Sequence, residues 1–146
     1  MVSNQKRTII VDIDGTLADC EKRIHHYKNG DYEAFNAAAI EDEPIEAVCD
    51  LVRHLPDWAT VVIMTARDAS FREETAEWLN RNDIPFDQLL MRPEYDIRRD
   101  DVIKLELFEQ YLKSDDIWFV LEDRQICVDM WRAEGLACFQ VAKDDG

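Results

Sequence analysis

Asp12 and Asp14, with one isoleucine between them, lead into Gly15 and Thr16 at the end of the apolar run "TIIV" (8–11). Such a run of mostly β-branched residues reads as a strand buried on both faces. Two carboxylates at its end are costly to bury unless a cation, a proton or strong donors hold them. Further chemistry-bearing residues follow other apolar runs: "TAR" (Thr65 to Arg67), and Glu122, Asp123 and Arg124. Lys104 stands in the first turn of an expected helix, where the helix dipole opposes its charge, so another group should want it. Carboxylates from two strand ends, with a backbone carbonyl, suit a hard cation such as Mg²⁺. A lysine and a hydroxyl beside them can orient phosphoryl oxygens, leaving one carboxylate to attack phosphorus and a second to move protons. Ordinary alternatives stand beside these readings. Asp and Gly are common where strands end in turns, Thr65 could be a plain strand-end residue, and Lys104 could pair with Asp100 one turn back.

Alternation of apolar and amphipathic segments is what would place these residues together. The runs "TIIV", "TVVIM" (60–64), "QLLM" (88–91), "IWFVL" (117–121) and "LACFQV" (136–141) predict about five strands of a Rossmann-like, doubly wound parallel α/β sheet. In such a sheet, function collects outside the carboxyl ends of the strands. Between the strands, Pro44 is expected to open a helix over 44–55 and Ser70 with Glu73 to form a capping box. Asp100 is expected to cap the next helix, and Gly135 to close the one before the last strand. The irregular stretch 19–43, with "EKRIHHYK" and a short helical pattern over "DYEAFNAAAI", reads as a small flap rather than a lid domain.

The chain has 146 residues, enough for one domain with its own core, and a net charge of -15 from 17 basic and 32 acidic residues. That balance argues against a sequence-blind grip on a phosphate backbone. However, Lys22, Arg23, Lys28, Arg67, Arg72, Arg92, Arg98, Arg99, Lys104 and Arg124 all fall in or just after loops that follow strands, which suggests a local positive rim. Cys20, Cys49, Cys127 and Cys138 form no CxxC pair and read as core residues of a reduced protein. The opening "MVSNQKRTII" has no long apolar stretch, and no window approaches a membrane span. A cytoplasmic protein is the expectation. His54 reads as a satisfied or surface residue of an amphipathic helix, and the adjacent His25 and His26 lack a partner at ligand spacing. The tryptophans read as core, which leaves Tyr27, Tyr32 and Phe35 of the flap as the aromatics placed to stack on a base.

The pattern DxDGT after a first strand, a strand-ending Thr, a helix-borne Lys and a later acidic pair resembles the haloacid dehalogenase superfamily of phosphotransferases. By that resemblance Asp12 is the nucleophile, Asp14 the general acid/base, and Thr65 and Lys104 bind the phosphoryl group. Asp12, Asp14 (through its backbone carbonyl) and Asp123 would hold Mg²⁺. Glu122 departs from the commoner Asp-Asp pair. "DIDGTLADCEKR", "MTAR", "RRDDVIKLELF" and "LEDRQICVDMWRAEGLACFQVAKDDG" are similar to the phosphatase domain of phage-type polynucleotide kinase-phosphatase, which removes 3′-phosphates from DNA or RNA ends. That similarity implies that Arg23 and Arg67 touch the phosphate or strand end and that Asp100 and Arg124 brace the site. No G-x-x-x-x-G-K-[ST] motif is present, so a separate kinase or ligase partner is expected. A phosphatase of free nucleotides, or an interaction module on the same fold, are the alternatives.

Overall fold

The computed structural model describes residues 7–144. Residues 1–6, which hold most of the opening segment, and the last two residues of the expected single-domain span lie outside the described residues.

Ile9, Ile10 and Val11 are all buried in β1 (Arg7–Val11), as an uninterrupted apolar run requires of a central parallel strand. Ile9 and Val11 face one helical layer and Ile10 the other. Each such side chain contributes roughly 1.5–3 kcal/mol relative to exposure. Around β1 the sheet adds β4 (Ala59–Asp68), β5 (Gln88–Arg92), β6 (Ile117–Glu122) and β7 (Cys138–Gln140), in the order β5-β4-β1-β6-β7, every pairing parallel. The chain runs outward from β1 through β4 to β5, then returns to the other side of β1 for β6. That reversal puts the crevice beyond the carboxyl end of β1.

Helices α3 (Glu46–Arg53) and α4 (Arg72–Arg81) cover one face through Val48, Cys49, Val52, Trp78 and Leu79. Helices α5 (Asp100–Tyr111) and α6 (Gln125–Ala133) cover the other through Ile103, Leu107, Phe108, Val128 and Trp131. Gly135, at φ +82, ends α6 as expected: its N–H donates to the Arg132 carbonyl and that of Leu136 to the Trp131 carbonyl. No helix among the described residues is long and apolar enough to cross a membrane.

Three expected helix starts differ. Pro44 lies in β3 (Glu43–Pro44), paired with β2 (Ala18–Asp19), and the chain stays extended through Ile45, whose N–H donates to the Leu17 carbonyl. The need to close the flap with this short ladder overrides proline's preference for a helix start. Ser70 and Glu73 form no capping box; the Asp68 carboxylate accepts from the Ser70 N–H instead. Asp100 is the first residue of α5 rather than its cap, because Arg92 and Arg124 take its carboxylate.

The flap leaves through β2 and returns through β3. Between them lie a 3-10 turn (Glu21–Arg23), α1 (Ile24–Lys28), α2 (Tyr32–Ala37) and a second 3-10 turn (Ala38–Glu41). The "EKRIHHYK" cluster is thus helical, which its polar composition did not signal.

Candidate active site

Register brings the chemistry to one level. Val11 pairs with Ile63 on one side and Leu121 on the other, so Asp12, Thr65, Glu122 and Asp123 follow at the strands' carboxyl ends. Asp12 Oδ1 accepts from Lys104 Nζ at 2.7 Å, and its Oδ2 accepts from Thr16 Oγ1 at 3.2 Å. Lys104, one residue beyond the first turn of α5, is buried and also donates to Glu122 Oε1 at 2.7 Å. The second Glu122 oxygen accepts from the backbone N–H groups of Asp123 and Arg124 at 3.2 and 3.4 Å. The longer glutamate arm therefore bridges Lys104 and the entry to α6. Lys104 makes no pair with Asp100.

Asp12, Glu122 and Asp123 bring carboxylate oxygens within 4.8 Å of one another. Burial, and then Glu122, push the Asp12 carboxyl up to about 7 despite Lys104. Burial and then Asp12 push Asp123 up to about 8. Burial works against the charge of Lys104, yet Asp12 and Glu122 hold its ammonium well above its usual pKa. Three carboxylates share one ammonium, a surplus of negative charge that a divalent cation would neutralise.

Asp14 belongs to a second cluster. Its carboxylate accepts from Arg67 Nη2 at 2.7 Å, from Arg67 Nε at 3.1 Å and from Arg23 Nη2. Burial alone would raise its pKa, but Arg67 and then Arg23 hold it down at about 2. Arg67 is buried and also donates to Thr75 Oγ1 at 3.3 Å. Arg23 is buried as well: its Nε and Nη2 donate to the Asp42 carboxylate at 2.8–2.9 Å, and its Nη1 donates to the Phe35 carbonyl at 2.9 Å. Thr65 Oγ1, also buried, accepts from the Arg67 N–H at 3.1 Å.

Asp100 centres a third group, between Arg92 at 2.6 Å and Arg124 at 2.5 Å. The basic rim expected from the loops is mostly neutralised: Arg98 pairs with Asp96 and Glu106, and Arg99 with Asp101. Arg23, Arg67 and Lys104 lie beneath the surface rather than on it. Local sequence spacing placed these cations at the right strand ends without revealing how many carboxylates meet them there.

Residues 6–145 match the family model of the polynucleotide kinase PNKP phosphatase domain. The chain belongs to that family. It is an HAD-type phosphatase. A protein of Autographa californica nuclear polyhedrosis virus, named as a bifunctional polynucleotide kinase/RNA ligase, is 29% identical over 130 residues, covering 86% of this chain and 18% of the viral one. A chain of the Pnkp1/Rnl/Hen1 RNA repair complex is 31% identical with a TM-score of 0.86, covering 99% of this chain and 45% of that one. The phosphatase therefore spans about a fifth of the viral relative and under half of the repair-complex chain. A haloacid dehalogenase-like hydrolase from Streptococcus pneumoniae, at 15% identity and a TM-score of 0.67 over 91% of this chain and 83% of its own, shares the fold.

Sequence reasoning missed two residues of this phosphatase's candidate site. Thr16 was visible within DxDGT as the residue able to reach back to Asp12. Asp42 gave no signal, since it stands between Glu41 and Glu43 with no motif to distinguish it from them. In the fold its side chain is buried on Arg23, and its carbonyl accepts from Trp78 Nε1 at 2.9 Å. Removing one partner of a buried pair costs about 3 kcal/mol or more. Asp42→Ala should therefore lower the melting temperature and cut kcat/KM at least as far as Arg23→Ala does. Full activity in steady-state assays would show that Arg23 keeps its place without Asp42.

Proposed function

We propose that the protein removes 3′-phosphates from DNA or RNA ends through an aspartyl-phosphate on Asp12. The observation that carries this is the Asp12 carboxylate itself, fixed at both oxygens by Lys104 and Thr16 at the strand end. One oxygen attacks phosphorus while the ester oxygen leaves with the proton that Asp14 supplies. Asp14 then takes a proton from the water that attacks phosphorus and releases Asp12. Phosphoryl oxygens reaching Arg23 and Arg67 compete with Asp14 for both guanidinium groups. Losing them leaves burial as the dominant influence on Asp14, which raises its proton affinity as the acid step requires. Thr65 and Lys104 would hold the remaining phosphoryl charge, while Asp100 and Arg124 brace the rim.

The residues fit Mg²⁺: Asp12, Asp123 and the Asp14 carbonyl would hold it, with Glu122 beside them, already engaged by Lys104 and two backbone N–H groups. When bound, such an ion neutralises developing charge on phosphoryl oxygen. Chelation should stop phosphate release while far-ultraviolet circular dichroism stays unchanged, because the core needs no metal.

The sign of the pH effect follows from Asp12 and Asp123. Both have folded pKa values, about 7 and about 8, above the ordinary 3.8, so the metal-free native state binds more protons than the unfolded one across that interval. Their contribution is present below pH 4 and is lost as pH rises towards 8. Mg²⁺ should therefore raise the melting temperature more at pH 8 than at pH 6. A larger gain at pH 6 would contradict the assignment.

The deciding assay is phosphate release from a 3′-phosphorylated oligonucleotide, a 5′-phosphorylated one and a 3′-mononucleotide. Preference for the first is expected. The neutralised rim favours a second reading, a small-phosphoester phosphatase, which better turnover of the mononucleotide would establish. The product of the first reading is a 3′-hydroxyl, the nucleophile that strand sealing consumes. We infer that a kinase and ligase activity, in the same polypeptide or another, acts beside it. The free thiols of Cys20, Cys49, Cys127 and Cys138 suit a cytoplasmic setting.

A further inference from the structure

Phosphoryl chemistry makes no use of the aromatic cluster on the flap. The Tyr27 ring of α1 lies 5.3 Å from that of Tyr32 and 5.4 Å from that of Phe35, both on α2, between centroids. Tyr27 is 40% exposed and Tyr32 58%. Phe35, in contrast, is tied to the site: the Arg23 guanidinium carbon stands 4.2 Å from its ring centroid, and Arg23 reaches on to Asp14. On the other side Tyr27 approaches Arg124. Burial works against that guanidinium's charge, but Asp100 and then the Tyr27 hydroxyl hold its pKa above the usual value. The exposed rings thus connect through Phe35 to Arg23 and Asp14, and on the other side to Arg124, the neighbour of Asp123 in sequence. Lys22 and Lys28 stand exposed on the same excursion.

We propose that Tyr27 and Tyr32 form a stacking subsite for the base of the nucleotide that carries the terminal 3′-phosphate. The inference rests on the 3′-phosphatase reading and names how that substrate is held. A 3′-phosphate is separated from its own base by a single sugar, so phosphate held by Arg23 brings that base to the adjoining surface. Tyrosine rings stack on any base, which gives a requirement for a base without a preference among bases. Stacking also supplies affinity to a chain whose net charge of -15 opposes a polyanion, and whose rim arginines are largely paired with acids.

The test compares two oligonucleotides bearing a 3′-phosphate, one with an intact terminal nucleotide and one whose terminal sugar is abasic. Steady-state constants are measured for the wild type, Tyr32→Ala and Tyr32→Phe. For the wild type, KM should be about tenfold higher on the abasic end at similar kcat. Tyr32→Ala should raise KM about tenfold on the intact end and leave the abasic end unchanged, while Tyr32→Phe, which keeps the ring, should resemble the wild type. Equal wild-type KM values on the two ends would overturn the subsite alone, as would a Tyr32→Ala loss that is the same on both. If the wild type releases phosphate from a mononucleotide but from neither oligonucleotide, the subsite and the 3′-end reading fall together.

Discussion

Asp12→Asn should lower phosphate release by on the order of 10⁴-fold or more, the scale seen when a covalent nucleophile is removed. The amide keeps the shape of the side chain and can still accept from Lys104 or Thr16 through its one oxygen, so folding should survive. It also removes one of the three carboxylates crowded around a single ammonium. The melting temperature of the metal-free variant should consequently match or exceed that of the wild type at pH 8, where the wild-type Asp12 carboxyl is mostly ionised. Loss of turnover without loss of stability separates a chemical role from a structural one. Acid-quenched protein should retain no labelled phosphate in the variant. Turnover near the wild-type level would remove Asp12 from the reaction.

The second large effect is expected at Gly15. Its φ of +84 lies in the left-handed region, and a Cβ built there would fall 2.0 Å from Asp123 Oδ2 and 2.6 Å from its Cγ. At these distances the Asp123 side chain must shift from its place in the acidic cluster. Backbone strain and displacement together should cost about 2–4 kcal/mol in Gly15→Ala, a fall of roughly 10 °C in melting temperature. Activity should fall further than stability explains, by at least about a hundredfold, since an interaction at the reacting centre is lost. Gly135→Ala is the control: its φ is +82 but nothing lies within 4 Å of the added Cβ. It should show the strain alone and keep its kcat. Equal activity losses in the two variants would mean that backbone strain, not Asp123, explains the effect.

The five strands of the main sheet and the meeting of Asp12, Lys104, Glu122 and Asp123 were legible because each depends on local pattern plus one rule, that parallel strands gather their ends in one crevice. Gly135 was legible for a similar reason, since the end of a helix is written within a few residues. Pro44, Ser70 and Asp100 misled because each has a strong local preference that a distant partner overrode: Ala18, Asp68, and the pair Arg92 and Arg124. The burial of Arg23 and Arg67 was invisible for the complementary reason. A guanidinium can be buried only when carboxylates surround it, and Asp14 and Asp42 come to these two from two separate stretches of chain.

The two-residue ladder between β2 and β3 separates what this chain does from what it does it to. Arg23 and Asp42 clasp each other near the root of the flap, and Trp78 pins Asp42 from the body of the domain. Arg23 is therefore held chiefly at the base of this excursion, and from within it by the Phe35 carbonyl and ring. The other residues of 24–41 form a cassette beyond that clasp, able to change composition while both ends and Phe35 stay anchored. If the flap holds the substrate's base as proposed, catalysis and substrate choice can be inherited independently: a lineage can change its substrate by rewriting these residues, with no rehearsal of the chemistry beneath.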